Sequence, residues 1–331
     1  MKRRTLILVL LIVACTVTAV GVVAVSASRT PKTRNDTTAS VALPAPPYMV
    51  FRSLDRKDPK NYGRIAVVPL DDVAGPRTLG GLTCDRVDFQ GRRGICLQLA
   101  DSFPQRYRAE LLGPDLKPTA SISVPGVPSR ARVSNDGRLG SVTTFVAGHS
   151  YASLGVFSTQ ARIFNMVTGT TIVKSLEKWP VTKDGKAVGA ADRNFWGVTF
   201  APDGDTFYAT LATGGKTYLA RGSIAKKSMT TIHENVECPS ISPDGTRIAY
   251  KKRTGADGLW RLTVLDLATM SETPLAETQP IDDQVEWLDD ETLIYGNGEA
   301  IWSVPADGGG KAERFLAGAN SPSIVREKDV N

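Results

Sequence analysis

Ser242-Pro243-Asp244-Gly245-Thr246-Arg247-Ile248-Ala249-Tyr250-Lys251-Lys252 is a tight turn feeding a strand. Proline presets φ at the first corner, Asp bonds forward to its own backbone, and Gly takes a left-handed conformation that a Cβ would oppose. Related turns recur at Ser134-Asn135-Asp136-Gly137 and Ala201-Pro202-Asp203-Gly204, with a diverged copy at Leu288-Asp289-Asp290-Glu291. Gln90-Gly91-Arg92-Arg93-Gly94 precedes them all. One such turn marks a hairpin, but a spaced series with similar flanks marks a repeat architecture.

The flanks carry the same message. Val236–Ile241 leads into one turn, Asn194–Phe200 into another, and Val285–Trp287 into the diverged copy. Strand-like runs follow each turn: Arg247–Lys251, Thr206–Leu211 and Thr292–Tyr295. Third and fourth strands are legible at Trp260–Ala268, Ala300–Pro305, Thr273–Leu275 and Arg314–Leu316. Four short strands per unit of roughly 40–50 residues is the pattern of a β-propeller blade.

The strand–SPDG–strand unit resembles the repeats of TolB-like six-bladed propellers, and the tracts around residues 194–211, 238–250 and 282–296 are similar to secreted or membrane-anchored actinobacterial members. The resemblance covers most of the chain after about Tyr48. It implies an all-β six-bladed propeller and leaves function open, because this fold hosts binding proteins and enzymes alike. Counting gives units at Tyr48–Leu79 (incomplete), Cys84–Val124, Arg130 to about Lys186, Arg193–Ile232, Cys238–Leu275 and Val285–Leu316. The tail Ala319–Val325 echoes the first strand of a blade, as a ring needs to complete its opening unit and remove free sheet edges. The third unit is long, with extra residues around Gly148–Ser153 and Trp179–Ala191.

Four stretches are expected: an N-terminal segment at 1–27, a flexible linker at 28–47, the propeller at 48–325 and a tail at 326–331. Lys2, Arg3 and Arg4 precede an uncharged, mostly apolar run from Thr5 to Ala27, long enough to cross a bilayer as a helix. That length favours an uncleaved single-pass anchor over a cleaved secretory peptide with small residues at Val25-Ser26-Ala27. The Ile12-Val13-Ala14-Cys15 string is lipobox-like, but the apolar run continues well past Cys15. All three readings export the propeller, placing it on the extracytoplasmic side of the membrane or free outside it.

Beyond Cys15 the cysteines are Cys84, Cys96 and Cys238. Cys84 and Cys96 flank the Gln90–Gly94 turn, so a cross-strand disulfide is expected in an oxidising compartment, against the alternative of two reduced buried thiols. Cys238 reads as a packed core thiol. Forty basic residues against 34 acidic give a mild positive balance that suits a solvated surface or an anionic envelope. No aromatic-interleaved basic patch points to nucleic acid. The two histidines, His149 and His233, have no metal-ligand spacing, and no nucleophile elbow, P-loop or dinucleotide fingerprint occurs. No metal or cofactor is expected.

In a propeller, the connections between blades ring one mouth of the central channel. Two here carry recognition-capable side chains: Asp192, Arg193 and Trp196 in one, Asp282 and Asp283 in the other. Trp and Arg are favoured contact residues at interfaces. Trp196 and Trp287 also start strands, where a tryptophan serves as a wedge between blades. The favoured expectation is a monomeric, non-catalytic binding or scaffold module that takes a protein or envelope polymer at this mouth. The alternative is a hydrolase- or lyase-type propeller enzyme, which would need convergent carboxylates or a metal there.

Overall fold

A computed structural model describes residues 41–100, 106–147, 157–189, 191–255 and 259–329. Strands β1 (Tyr48–Ser53), β2 (Arg64–Pro69) and β3 (Thr78–Thr83) begin the ring. Blade 2 is β4 (Arg86–Gln90), β5 (Arg93–Leu99), β6 (Tyr107–Leu112) and β7 (Pro118–Val124). Blade 3 is β8 (Val127–Val133), β9 (Leu139–Ala147), β10 (Ser158–Asn165) and β11 (Thr171–Val173). Two short strands follow, β12 (Val181–Lys183) and β13 (Lys186–Ala187). Blade 4 is β14 (Asn194–Phe200), β15 (Thr206–Thr213), β16 (Lys216–Ser223) and β17 (Ser228–Glu234). Blade 5 is β18 (Glu237–Ile241), β19 (Arg247–Thr254), β20 (Leu259–Asp266) and β21 (Glu272–Pro274). Blade 6 is β22 (Glu286–Trp287), β23 (Thr292–Asn297), β24 (Ala300–Pro305) and β25 (Glu313–Ala317).

The last strand, β26 (Ala319–Val325), closes the ring as the tail's sequence suggests. It lies antiparallel to β1, with Tyr48 opposite Val325 and Met49 opposite Ile324, so blade 1 runs β26-β1-β2-β3. β26 also stitches blade 1 to blade 2. The Ser323 hydroxyl accepts from the Phe89 N–H at 3.0 Å and donates to the Phe89 carbonyl at 2.8 Å. Ser321 repeats the device on Val87, at 3.2 and 2.9 Å.

The repeated turns work as their residues imply. The Asp136 and Asp244 carboxylates each take a backbone N–H two residues on, from Arg138 and Thr246, both at 3.0 Å. Asp203 and Asp289 do the same to Asp205 and Glu291. Glycine is also demanded between blades: Gly91 and Gly137 both have positive φ, and a Cβ on Gly91 would sit 2.4 Å from the Gly137 nitrogen. The hairpins of blades 2 and 3 therefore pack backbone against backbone.

One boundary differs from expectation. The segment after blade 3 joins the outer edge of blade 4, where β12 lies parallel to β17 and β13 extends the sheet to six strands. Parallel pairing needs a long crossover, and residues 184–227, which carry β13 to β16, supply it. Within the expected linker, of which only residues 41–47 are described, Val41 is buried and its N–H donates to the Asp115 carbonyl at 3.2 Å. The Thr5–Ala27 run and the Gly148–Ser153 stretch lie outside the described residues. Among the described residues no helix is long and apolar enough to cross a membrane.

Candidate functional site

Side chains of the inner strands alternate between the channel and the blade interior, so every second residue of β4, β8 and β26 faces the axis. Arg86, Asp88 and Gln90 on β4 meet Arg130 and Arg132 on β8 and Ser321 and Ser323 on β26. The axis is accordingly polar and charged. Arg132 is paired with Glu286, lies 3.6 Å from Asp88, and donates through Nη2 to the Val285 carbonyl at 3.0 Å. Gln90 donates to Glu286 at 3.3 Å, and Arg326 donates to the Trp287 carbonyl. Asp88 also accepts the Val133 N–H at 2.6 Å. Burial, with Glu286 adding to it against the pull of Arg132, pushes the Asp88 carboxyl up to about 7.

These ties fill the channel. The space left beside Gln90, Arg132, Glu286, Trp287 and Arg326 is about 20 Å³, room for about one water. Wider hollows lie at the lower end. At the lower end, Arg326–Asp329 folds back, with Arg326 pairing with Asp329. Hollows of about 210 and 430 Å³ lie on either side of Pro243 there.

The upper end, where the inner strands begin, collects cations around Asp282. Arg130 and Lys251 both bind its Oδ1, at 3.0 and 2.6 Å. Lys251 is fully buried, 4.0 Å from the Trp260 ring centre, whereas the Asp282 side chain is half exposed. Burial raises the Asp282 pKa, but Lys251 and Arg130 outweigh it and hold the carboxyl well below the usual carboxylate range. Arg86 reaches the same place and donates to the Ser129 carbonyl at 3.2 Å.

The expected site residues have diverse fates. Asp282 stands at the mouth with its side chain half exposed. Asp283 is 7 % exposed and accepts the Gly296 N–H at 2.9 Å, so it is a buried structural acceptor rather than a rim group. Trp196 is fully buried against Phe157 in a cluster with Phe145, Cys238 and Trp260. It is a wedge between blades and offers no surface to a partner. Asp192 is spent on the β15–β16 turn, accepting from Thr213 Oγ1 and the Gly214 N–H, both at 2.7 Å. Arg193 donates to the Trp179 and Val188 carbonyls at 3.1 and 3.3 Å. Both border a 200 Å³ hollow between blades 3 and 4, but their polar atoms tie down the crossover segment and the turn.

Sequence reasoning missed Arg86, Arg130 and Lys251. The signal for Arg86 and Arg130 was alternation on the inner strands; Lys251 sits on a second strand and gave none. Cys84 and Cys96 are bridged with Cα atoms 5.4 Å apart, though Cys84 lies just before β4 and the ladder partner of Cys96 is Val87. Among the described residues, no group of three His, Cys, Asp or Glu side chains could hold a metal ion.

No protein-family model matches the chain, and no curated protein matches it in sequence. Among solved structures, TolB from Acinetobacter baumannii superposes with a TM-score of 0.57 at 15% identity, over 85% of this chain and 67% of that one. A nidogen/laminin complex gives 0.52 at 10% identity, over 84% of this chain and 97% of that one. A Mycobacterium tuberculosis puromycin-hydrolyzing peptidase gives 0.51 at 13% identity, over 83% of this chain and 44% of that one. Likeness at these identities speaks to architecture alone. In fold, this chain is a six-bladed β-propeller.

Proposed function

We propose that the chain is a membrane-held, extracytoplasmic binding module whose propeller captures a protein partner on its upper face. The carrying observation is where exposed apolar side chains lie. Among the described residues, Tyr62, Leu99, Val127, Val146 and Leu259 sit at strand ends or connections on that face, whereas Val167 and Ile172 lie elsewhere. Apolar side chains exposed together on one face mark an interaction site. The TolB and nidogen propeller likenesses agree with a binding role, and a Cys84–Cys96 bridge suits an oxidising compartment. The Lys2–Arg4 flank and the Thr5–Ala27 run supply the anchor.

Photo-crosslinkers at Val127 or Leu259, against Val167 on the opposite face, test the surface in intact cells. Adducts are expected from the first two positions only, and equal adducts from Val167 refute the assignment. Protease shaving of intact cells tests the topology: a propeller that stays protected refutes export. The mass of the mature N-terminus separates an anchor from a cleaved peptide.

A further inference from the structure

We infer that the upper mouth holds an oxyanion seat at Arg86 and Arg130, and that it receives a carboxylate of an acidic segment in the captured protein. The inference rests on the upper face being the docking face. Two guanidinium groups converge on one carbonyl: Arg86 Nε and Arg130 Nη1 both donate to Ser129 O, at 3.2 and 3.0 Å. Like charges held this close call for an anion between or beside them. Arg130 has Asp282, but among the described residues no carboxylate pairs with Arg86, and its terminal nitrogens make no hydrogen bond.

The surroundings strengthen the field. Arg52 stands near Arg86, its own Nε on the Cys84 carbonyl at 2.6 Å. Five cations, Arg52, Arg86, Arg130, Lys251 and Arg253, thus face four carboxylates: Asp85, Glu237, Asp282 and Asp283. Asp283 is committed to Gly296, and the Asp282 Oδ1 to Arg130 and Lys251. Burial, then Arg130, makes the Arg86 charge harder to hold, and Asp283 and Asp282 offset this only in part. A bound anion relieves that cost, which is the thermodynamic reason a ligand would seat there. A planar guanidinium edge matches a carboxylate with two parallel hydrogen bonds. Val127, two residues before Ser129 and exposed, supplies apolar contact beside the charge. Charge and apolar surface together fit a polypeptide better than a bare phosphate polymer.

The test is calorimetric titration of the full-length chain in mild detergent with three probes: a short Asp/Glu peptide, its Asn/Gln counterpart and inorganic phosphate. The acidic peptide is expected to bind, the amide peptide to bind at least tenfold more weakly, and Arg86→Ala to lose at least tenfold for the acidic peptide. Arg86→Lys keeps the charge without the planar edge and should fall between, while urea midpoints check that each variant is folded. Equal binding by wild type and a folded Arg86→Ala overturns the seat. Binding of phosphate but not of acidic peptide overturns the peptide assignment. Cellular crosslinking at Val127 that persists in Arg86→Ala overturns the seat while leaving the docking face standing.

Discussion

Removing Ala319–Asn331 should unfold the propeller, and the size of the effect follows from what β26 does. Ile324 and Val325 are fully buried, and burying such side chains contributes about 1.5–3 kcal/mol each, hence about 3–6 kcal/mol together. Ser321 and Ser323 make four hydrogen bonds to the blade 2 backbone, which at about 1 kcal/mol each add about 4 kcal/mol. The sum, about 7–10 kcal/mol, rivals the whole stability of a typical domain at about 5–15 kcal/mol. It also omits the edge of β1 left unpaired, where Met49, Val50 and Phe51 are now fully covered. Urea denaturation followed by circular dichroism and tryptophan fluorescence measures this directly. The truncated chain is expected to lack a cooperative transition. Ile324→Ala gives a graded version, with a loss of about 2–5 kcal/mol from a buried aliphatic deletion. A truncated chain whose midpoint corresponds to a loss under about 1 kcal/mol would refute ring closure as the source of stability, because the summed terms above exceed that several-fold.

Glu286→Gln should destabilise the fold by about 3 kcal/mol, the low end for breaking a buried pair, because Arg132 keeps Asp88 at 3.6 Å; thermal melts at pH 7 check this, and a neutral outcome rejects the ion pair. Asp88 sets a pH dependence. Its folded pKa of about 7 lies above the unfolded value near 3.9, so its contribution is complete below about pH 4 and is lost as pH rises to about 7. Melting temperatures should decline over that window in wild type and decline less in Asp88→Asn; an identical profile in both refutes the assignment. Peptide mapping without reductant should recover a linked Cys84–Cys96 peptide, and the double serine variant should lose about 2–4 kcal/mol in urea. Free thiols at both positions in exported protein would refute the bridge.

What the sequence by itself determined is the blade. A turn such as Ser242–Gly245 encodes its own geometry, because proline, Asp and Gly act within four residues. The closing strand was legible for the same reason, as Ala319–Val325 repeats a local pattern already seen beside Cys238. The channel was not legible. Glu286 meets Arg132 across 154 positions, and Asp282 is reached by Arg130 and Lys251 from two other blades. No local signal encodes such pairs, because inner strands from distant segments face one axis only after the ring closes. Loop composition is silent for a related reason: Asp192 and Arg193 are residue types suited to a rim, and only the folded chain shows nearby backbone groups engaging their polar atoms. Local turn chemistry fixed the repeat, and ring closure alone decided which distant charges meet.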